Sequence, residues 1–169
     1  MKINVCCGTR VLPGYVNVDV QAIGDAQPDI IADAKTIPLP DGCAEEVMAI
    51  HAFEHFYRWD CDAVIAEWRR LLHRGGLLVL ELPNVLKCCK NVIDGLQRGG
   101  KDPDQLGYWG LYGDPRTCDP YMNHRWGWAP DTLRRFLMER GFIDVTESST
   151  QFHPAGRLYR DMRLEARKA

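Results

Sequence analysis

Apolar positions along the 169-residue chain fall mostly in short runs, broken by a few helical stripes. Ile3 to Val5 is a short run that ends at Cys6-Cys7-Gly8. Tyr15 to Val20 is rich in β-branched residues and alternates with Asn17 and Asp19, which predicts a strand. Asp29 to Ala32 predicts a third short strand, ending at Asp33. Val47 to Ile50 and Leu77 to Leu82 are nearly continuous apolar runs, as expected of central strands covered on both faces. Asp60 to Arg74 reads as a helix, because Val64, Trp68, Leu71 and Leu72 form one apolar stripe. Asp60 or Asp62 can cap its start and Gly75 can end it. Leu86 to Arg98 and Pro130 to Arg140 predict two further helices, the second with Leu133, Phe136 and Leu137 inward and Gly141 as its stop. Phe142 to Glu147 predicts a strand. Leu158 to Arg167 alternates Leu158, Met162, Leu164 and Ala166 with polar residues. It reads as a half-buried strand, antiparallel to its neighbour, with its arginines on a solvated face.

The connections are unusual. About seven residues, Thr9 to Tyr15, separate the first two strands, and a parallel crossover normally takes a dozen or more. The strands are therefore either parallel with a stripped-down crossover or a hairpin. Even so, Lys2 to Asp19 has the shape of a nucleotide-binding edge. Gly8 permits a sharp turn that brings backbone N–H groups to a ligand, and the acid at the next strand end suits ribose hydroxyls. The stretch from about 99 to 129 is rich in glycine, proline and aromatic residues (Tyr108, Trp109, Tyr112, Tyr121, Trp126 and Trp128). An irregular segment this long is usually functional, which suggests an acceptor-binding lid.

Composition narrows the picture. The chain is long enough for one domain with a real core, and we expect a single domain over residues 1–169. Lysine and arginine number 21 and aspartate and glutamate 23, for a net charge of −2, so nothing draws the protein towards nucleic acid or an anionic membrane. No apolar run approaches the roughly 20 residues that span a bilayer, and no leader is evident at Met1. Seven cysteines, two pairs of them adjacent, suit neither a disulfide framework nor a C-x-x-C zinc knuckle. A cytoplasmic setting is expected, and no metal ligand is assigned.

In order, NVCCGT, an acid at a second strand end (Asp19), IIADAKTIPLPDG, AIHAFEHF and WRRLLHRGGLLVLELPN follow one another. This series, continued by LRRFLMERGF at 133–142, resembles the class I S-adenosylmethionine-dependent methyltransferases, notably the small type-11 domains. The resemblance implies an α/β fold with a Rossmann-like sheet, mostly parallel with an antiparallel C-terminal strand. Helices around the first three strands would be reduced. It implies S-adenosylmethionine as cofactor, with Val5, Cys6, Cys7 and Gly8 at its methionine end. Asp19 would bind the ribose hydroxyls, Asp33 would accept the adenine amino proton beside Ala34, and His51 and Ala52 would line the site near the methyl group. Cys6 stands where the family commonly has glycine. The acceptor would be a small molecule or a saccharide. A sheet face lacking its helices would expose an apolar patch, which suggests a homodimer.

Candidates for a base are His51, Glu54, His55 and His124. The same residues, His51-x-x-Glu54-His55, match the inverted zinc-peptidase motif, so a zinc hydrolase is a minor alternative. A methyltransferase fold that binds without catalysing is another. The absence of G-x-G-x-x-G counts against a nicotinamide enzyme. HAFEHF in place of Asp/Asn-Pro-Pro-aromatic counts against a DNA base methyltransferase.

Overall fold

The computed structural model describes residues 1–98, 104–152 and 159–169. Seven strands form one sheet: β1 (Lys2–Val5), β2 (Val16–Asp19), β3 (Ile30–Ile31), β4 (Ala44–Ile50), β5 (Leu72–Pro83), β6 (Phe142–Ser148) and β7 (Asp161–Lys168). Their order is β3-β2-β1-β4-β5-β7-β6. β1 and β2 pair in parallel, which settles the open choice against a hairpin. β7 runs antiparallel between β5 and β6, and the pairing elsewhere is parallel. The strand order reverses direction between β1 and β4. In open α/β sheets, ligands bind beyond the carboxyl ends of the strands at such a point.

One face of the sheet is apolar. Ile3, Val5, Val18, Val47, Ala49, Leu78, Leu80, Met162 and Leu164 project into one core. Helices α1 (Cys61–Leu71) and α4 (Pro130–Met138) cover it. Trp68 of α1 is fully buried, and its indole N–H donates to the Ala34 carbonyl at 3.1 Å, tying the helix to the turn after β3. α1 is shorter than its pattern suggests. It ends at Leu71, the chain passes directly into β5, and Gly75 lies in an irregular stretch beyond the helix. Neither aspartate caps its start. Asp60 pairs with Lys35 at 3.6 Å, and Asp62 pairs with Arg58 and Arg140. Gly141 does follow α4, with φ +79°, and the Arg69 guanidinium lies 2.9 Å from where a Cβ would stand.

The opposite face is richer in polar groups, with Met48 and Val79 buried among them. Asn4 Nδ2 donates to Asn17 Oδ1 (3.0 Å) and to the Arg10 carbonyl (2.8 Å). Asn17 in turn accepts from Leu12 N–H and donates to Asp29. These bonds pin the helix-free β1–β2 connection across the sheet. Tyr15 donates to Glu46 (2.5 Å), and Glu46 pairs with Lys2 (3.4 Å). Glu81, fully buried on β5, pairs with Arg163 at 3.3 Å and accepts the backbone N–H groups of Gln151 and Phe152. Gln151 and Phe152 thus lie over this face, and Arg10 donates to the Phe152 carbonyl.

Two expectations are corrected here. Arg160, Arg163 and Asp161 are buried, not solvated, because β7 sits inside the sheet next to central β5. Leu158 lies outside the described residues. The face without helices carries hydrogen-bonded polar groups instead of an apolar patch, so the reason for expecting a homodimer is removed.

α2 (Val85–Arg98) starts immediately after β5, with Asn84 Oδ1 accepting from Leu86 N–H at 3.0 Å. The described part of the aromatic stretch is a series of short helical turns, including α3 (Trp109–Tyr112), where a loop was expected. No helix among the described residues is long and apolar enough to cross a membrane.

Candidate functional site

The ends of β1, β2 and β4 converge at the switch point. Cys6 follows β1 with φ +53°, a left-handed conformation that costs an L-residue roughly 1–2 kcal/mol. The backbone that glycine favours is therefore kept although the residue is cysteine. Gly8, also left-handed, donates its N–H to Asp19 Oδ2 at 2.8 Å. Nothing lies within 4 Å of where a Gly8 side chain would begin, so the turn faces open space. Asp19 Oδ1 receives only a long bond of 3.4 Å from Gln21 N–H. Asp33, after β3, is about half-exposed and accepts from Lys35 N–H at 2.8 Å. Burial raises the Cys6 thiol pKa, and the charges of Asp19, Cys7, Asp33 and Glu54 push the same way, which places Cys6 among these carboxylates.

Val5, Cys7, Ala34 and Ala52 are buried. They offer a ligand their backbone more than their side chains. The acceptors and open turn that the structure does present fit an adenosyl ligand: a carboxylate at the β2 end and a second one at the β3 end.

Beyond β4 the chain turns sharply. His51 has φ +50°, and its N–H continues the ladder to the Glu81 carbonyl. The ring lies between two carboxylates, with Nδ1 3.0 Å from Glu54 Oε1 and Nε2 3.3 Å from Asp161 Oδ2. Burial alone would lower the His51 pKa. The hydrogen bonds to Asp161 and Glu54 prevail and raise it to about 9. Glu54 and Asp161 are buried, which would raise their pKa values, yet bonding to His51 holds each at about 2. His51 therefore holds its proton at neutral pH and has no lone pair to offer as a base. Asp161 was missed in the sequence, where it read as one acid of a solvated strand. The signal was available in β5, whose apolar continuity demanded a buried neighbour.

Phe53–His55 forms a single 3-10 turn, with His51 outside it. The inverted zinc-peptidase arrangement, which needs His51 and His55 on one helical face, is not formed. His124 reaches the same place from the aromatic stretch. The chain there is tied down by Arg125 and Trp126, whose N–H groups both bond the Glu54 carbonyl. The His55 and His124 rings meet edge to face, with centroids 4.9 Å apart. Burial lowers the His124 pKa, against the pull of Glu54.

The aromatic residues divide. Trp128 is core: it is 2% exposed and stacks on Phe53 at 5.4 Å. Tyr108, Tyr112, Tyr121 and Trp126 are exposed, and Trp109 lies under the Arg116 guanidinium. A cavity of about 450 Å³ lies between Arg58, Trp126, Trp128 and α4, and none of the cofactor candidates lines it.

Residues 11–80 match the family model of a methyltransferase domain. The whole chain superposes on solved methyltransferases. One, a SAM-dependent methyltransferase from Archaeoglobus fulgidus, shares 16% identity over 99% of this chain and 85% of its own, with a TM-score of 0.64. A SAM-dependent methyltransferase from Thermotoga maritima, described as a possible histamine N-methyltransferase, shares 14% over 99% and 82%, at 0.63. The chain thus has the fold of these methyltransferases, and part of it matches a methyltransferase-domain model. The Burkholderia thailandensis 1,6-didemethyltoxoflavin-N1-methyltransferase, solved with S-adenosylhomocysteine, shares 9% over 99% and 70%, at 0.62. A search of curated proteins finds no match in sequence. The reduced helices lie on the polar face and leave the switch point intact.

Proposed function

We propose that this protein is an S-adenosylmethionine-dependent methyltransferase, which transfers the methyl group to a small-molecule or saccharide acceptor bound beneath the aromatic stretch. The observation that carries the reading is Asp19, held by Gly8 N–H at the carboxyl end of β2 beside the switch point. In this reading Asp19 accepts the ribose hydroxyls, because a carboxylate can take two hydrogen bonds at once. Cys6 to Gly8 pass under the methionine end, and Asp33 with the backbone of Ala34 meets the adenine. His51 and Ala52 line the site near the methyl, His51 as a charged clamp that fixes Glu54. The cofactor supplies the reactivity, and the protein positions the partners and excludes water. The exposed rings of Tyr112, Tyr121 and Trp126 suit an acceptor with an apolar ring face, and the bond from His124 N–H to the Tyr112 carbonyl supports this role for the stretch. All seven cysteines are unpaired, which suits a reducing compartment such as the cytoplasm.

Calorimetric titration with S-adenosylhomocysteine tests this. Micromolar binding to the intact protein and none to Asp19→Ala is the expected result. Absence of binding to the intact protein, or equal binding by the variant, would overturn the assignment of the site.

A further inference from the structure

Three metal-ligating side chains converge where β4 gives way to the crevice. One ligand atom from each of Glu54, His55 and His124 lies within 4.8 Å of the other two. Each is already held from behind. His55 Nδ1 is 3.2 Å from the Asn123 carbonyl and His124 Nδ1 is 3.0 Å from the Gly110 carbonyl. A carbonyl only accepts, so each ring donates to it through Nδ1 and leaves Nε2 for the cluster. Glu54 Oε1 is bonded to His51, while its other oxygen, Oε2, is buried without any hydrogen-bond partner. The carboxylate as a whole is 2% exposed.

Two imidazole rings and the Glu54 carboxylate thus face one another, with His51 bonding one carboxylate oxygen and Oε2 left without a partner among the described residues. A buried carboxylate oxygen without a partner is unfavourable. His124 does not remedy this, since its Nε2 stands 3.9 Å from Glu54 Oε1, beyond hydrogen-bond reach. His51 serves one Glu54 oxygen, and a cation held by the other oxygen and the two rings would serve the rest of the cluster. We propose that Glu54, His55 and His124 bind a first-row divalent metal ion at the mouth of the methyl-transfer crevice.

The donor set supports that class of ion. Two imidazoles and one carboxylate suit zinc, cobalt, iron or manganese more than magnesium or calcium, which prefer all-oxygen shells. Ligand atoms on one such ion stand roughly 3–3.6 Å apart, so the side chains must close by about 1 Å. Backing of each ligand by a second group is the usual arrangement at metal centres. Three protein ligands leave positions open, as catalytic sites do. This differs from the zinc-peptidase motif, in which His51 would be a ligand and Glu54 the base.

The role follows from the location and rests on the methyltransferase reading. The ion would bind an acceptor hydroxyl and lower its pKa. The hydroxyl proton then leaves to solvent, and the oxygen forms the new O–C bond as the S–C bond breaks, releasing the neutral thioether. The acceptor class is accordingly an alcohol or sugar hydroxyl.

The test is titration of chelator-treated, full-length protein with Co²⁺, followed by its visible absorption. One equivalent should bind with micromolar affinity. Loss of a backing group typically costs a metal site about 10–100-fold, so His124→Ala and Glu54→Gln should each weaken binding by about 100-fold or more. S-adenosylhomocysteine binding, measured on the same samples, shows that each variant is folded. His55→Ala provides a further variant should Glu54→Gln fail to fold. No Co²⁺ binding by the intact protein, or unchanged affinity in His124→Ala, would overturn the metal site while leaving the cofactor reading standing. Co²⁺ binding without S-adenosylhomocysteine binding would keep the metal site and remove its role in methyl transfer.

Discussion

The two faces of the sheet solve the same problem by different physics. On one, α1 and α4 bury alternating apolar side chains, and stability scales with area removed from water. On the other, loops replace helices, and asparagines, Tyr15, Glu46 and the Glu81–Arg163 pair satisfy the backbone that helices would otherwise have covered. A helix-free face need not be an apolar one. The apolar face tolerates volume changes in proportion to their size. The polar face is all-or-none, because a half-satisfied buried network is worse than none.

That contrast can be broken at three positions. Trp68→Ala, on the apolar face, should cost the most, about 3–5 kcal/mol in denaturant unfolding, since it opens a cavity and strands the Ala34 carbonyl. A loss below about 1 kcal/mol would mean that α1 is not anchored through this ring. Glu81→Ala, on the polar face, should cost about 3 kcal/mol or somewhat more. It leaves Arg163 buried and two backbone N–H groups without an acceptor. Combining it with Arg163→Ala should be clearly less than additive, and strict additivity would show that the two residues do not act as a pair. Asn17→Ala should cost least, about 1–3 kcal/mol, through the unpinned β1–β2 connection. Hydrogen exchange at Leu12 should then quicken more than exchange in β5. Uniform quickening would place Asn17 in the global core instead of in a local clasp.

Much of the fold was legible because it is local. β4 and β5 announced themselves as unbroken apolar runs, α1 as a stripe through Val64 and Trp68, and Gly141 as a stop. Boundaries were less so. α1 ends before Gly75 because β5 begins pairing with β4 at Leu72, a non-local bond that outweighs local helix propensity. β7 misled for the same reason. Its Arg and Asp alternate as if solvated, and only its place between β5 and β6 buries them. Trp128 looked like part of a lid and is core, since the isolated bridge of Trp128 to Asn84 draws it onto Phe53.

The sequence by itself determined the order of the strands' motifs, the acids at the ends of β2 and β3, and the turn at Gly8, because each depends on residues adjacent in the chain. Tertiary structure alone decided that His51 would be a clamp between Glu54 and Asp161. It also brought His124 to Glu54 and His55, the cluster proposed as a cation site. Those groups come from segments far apart in the chain. Their chemistry is set by distance and burial, which no local pattern encodes.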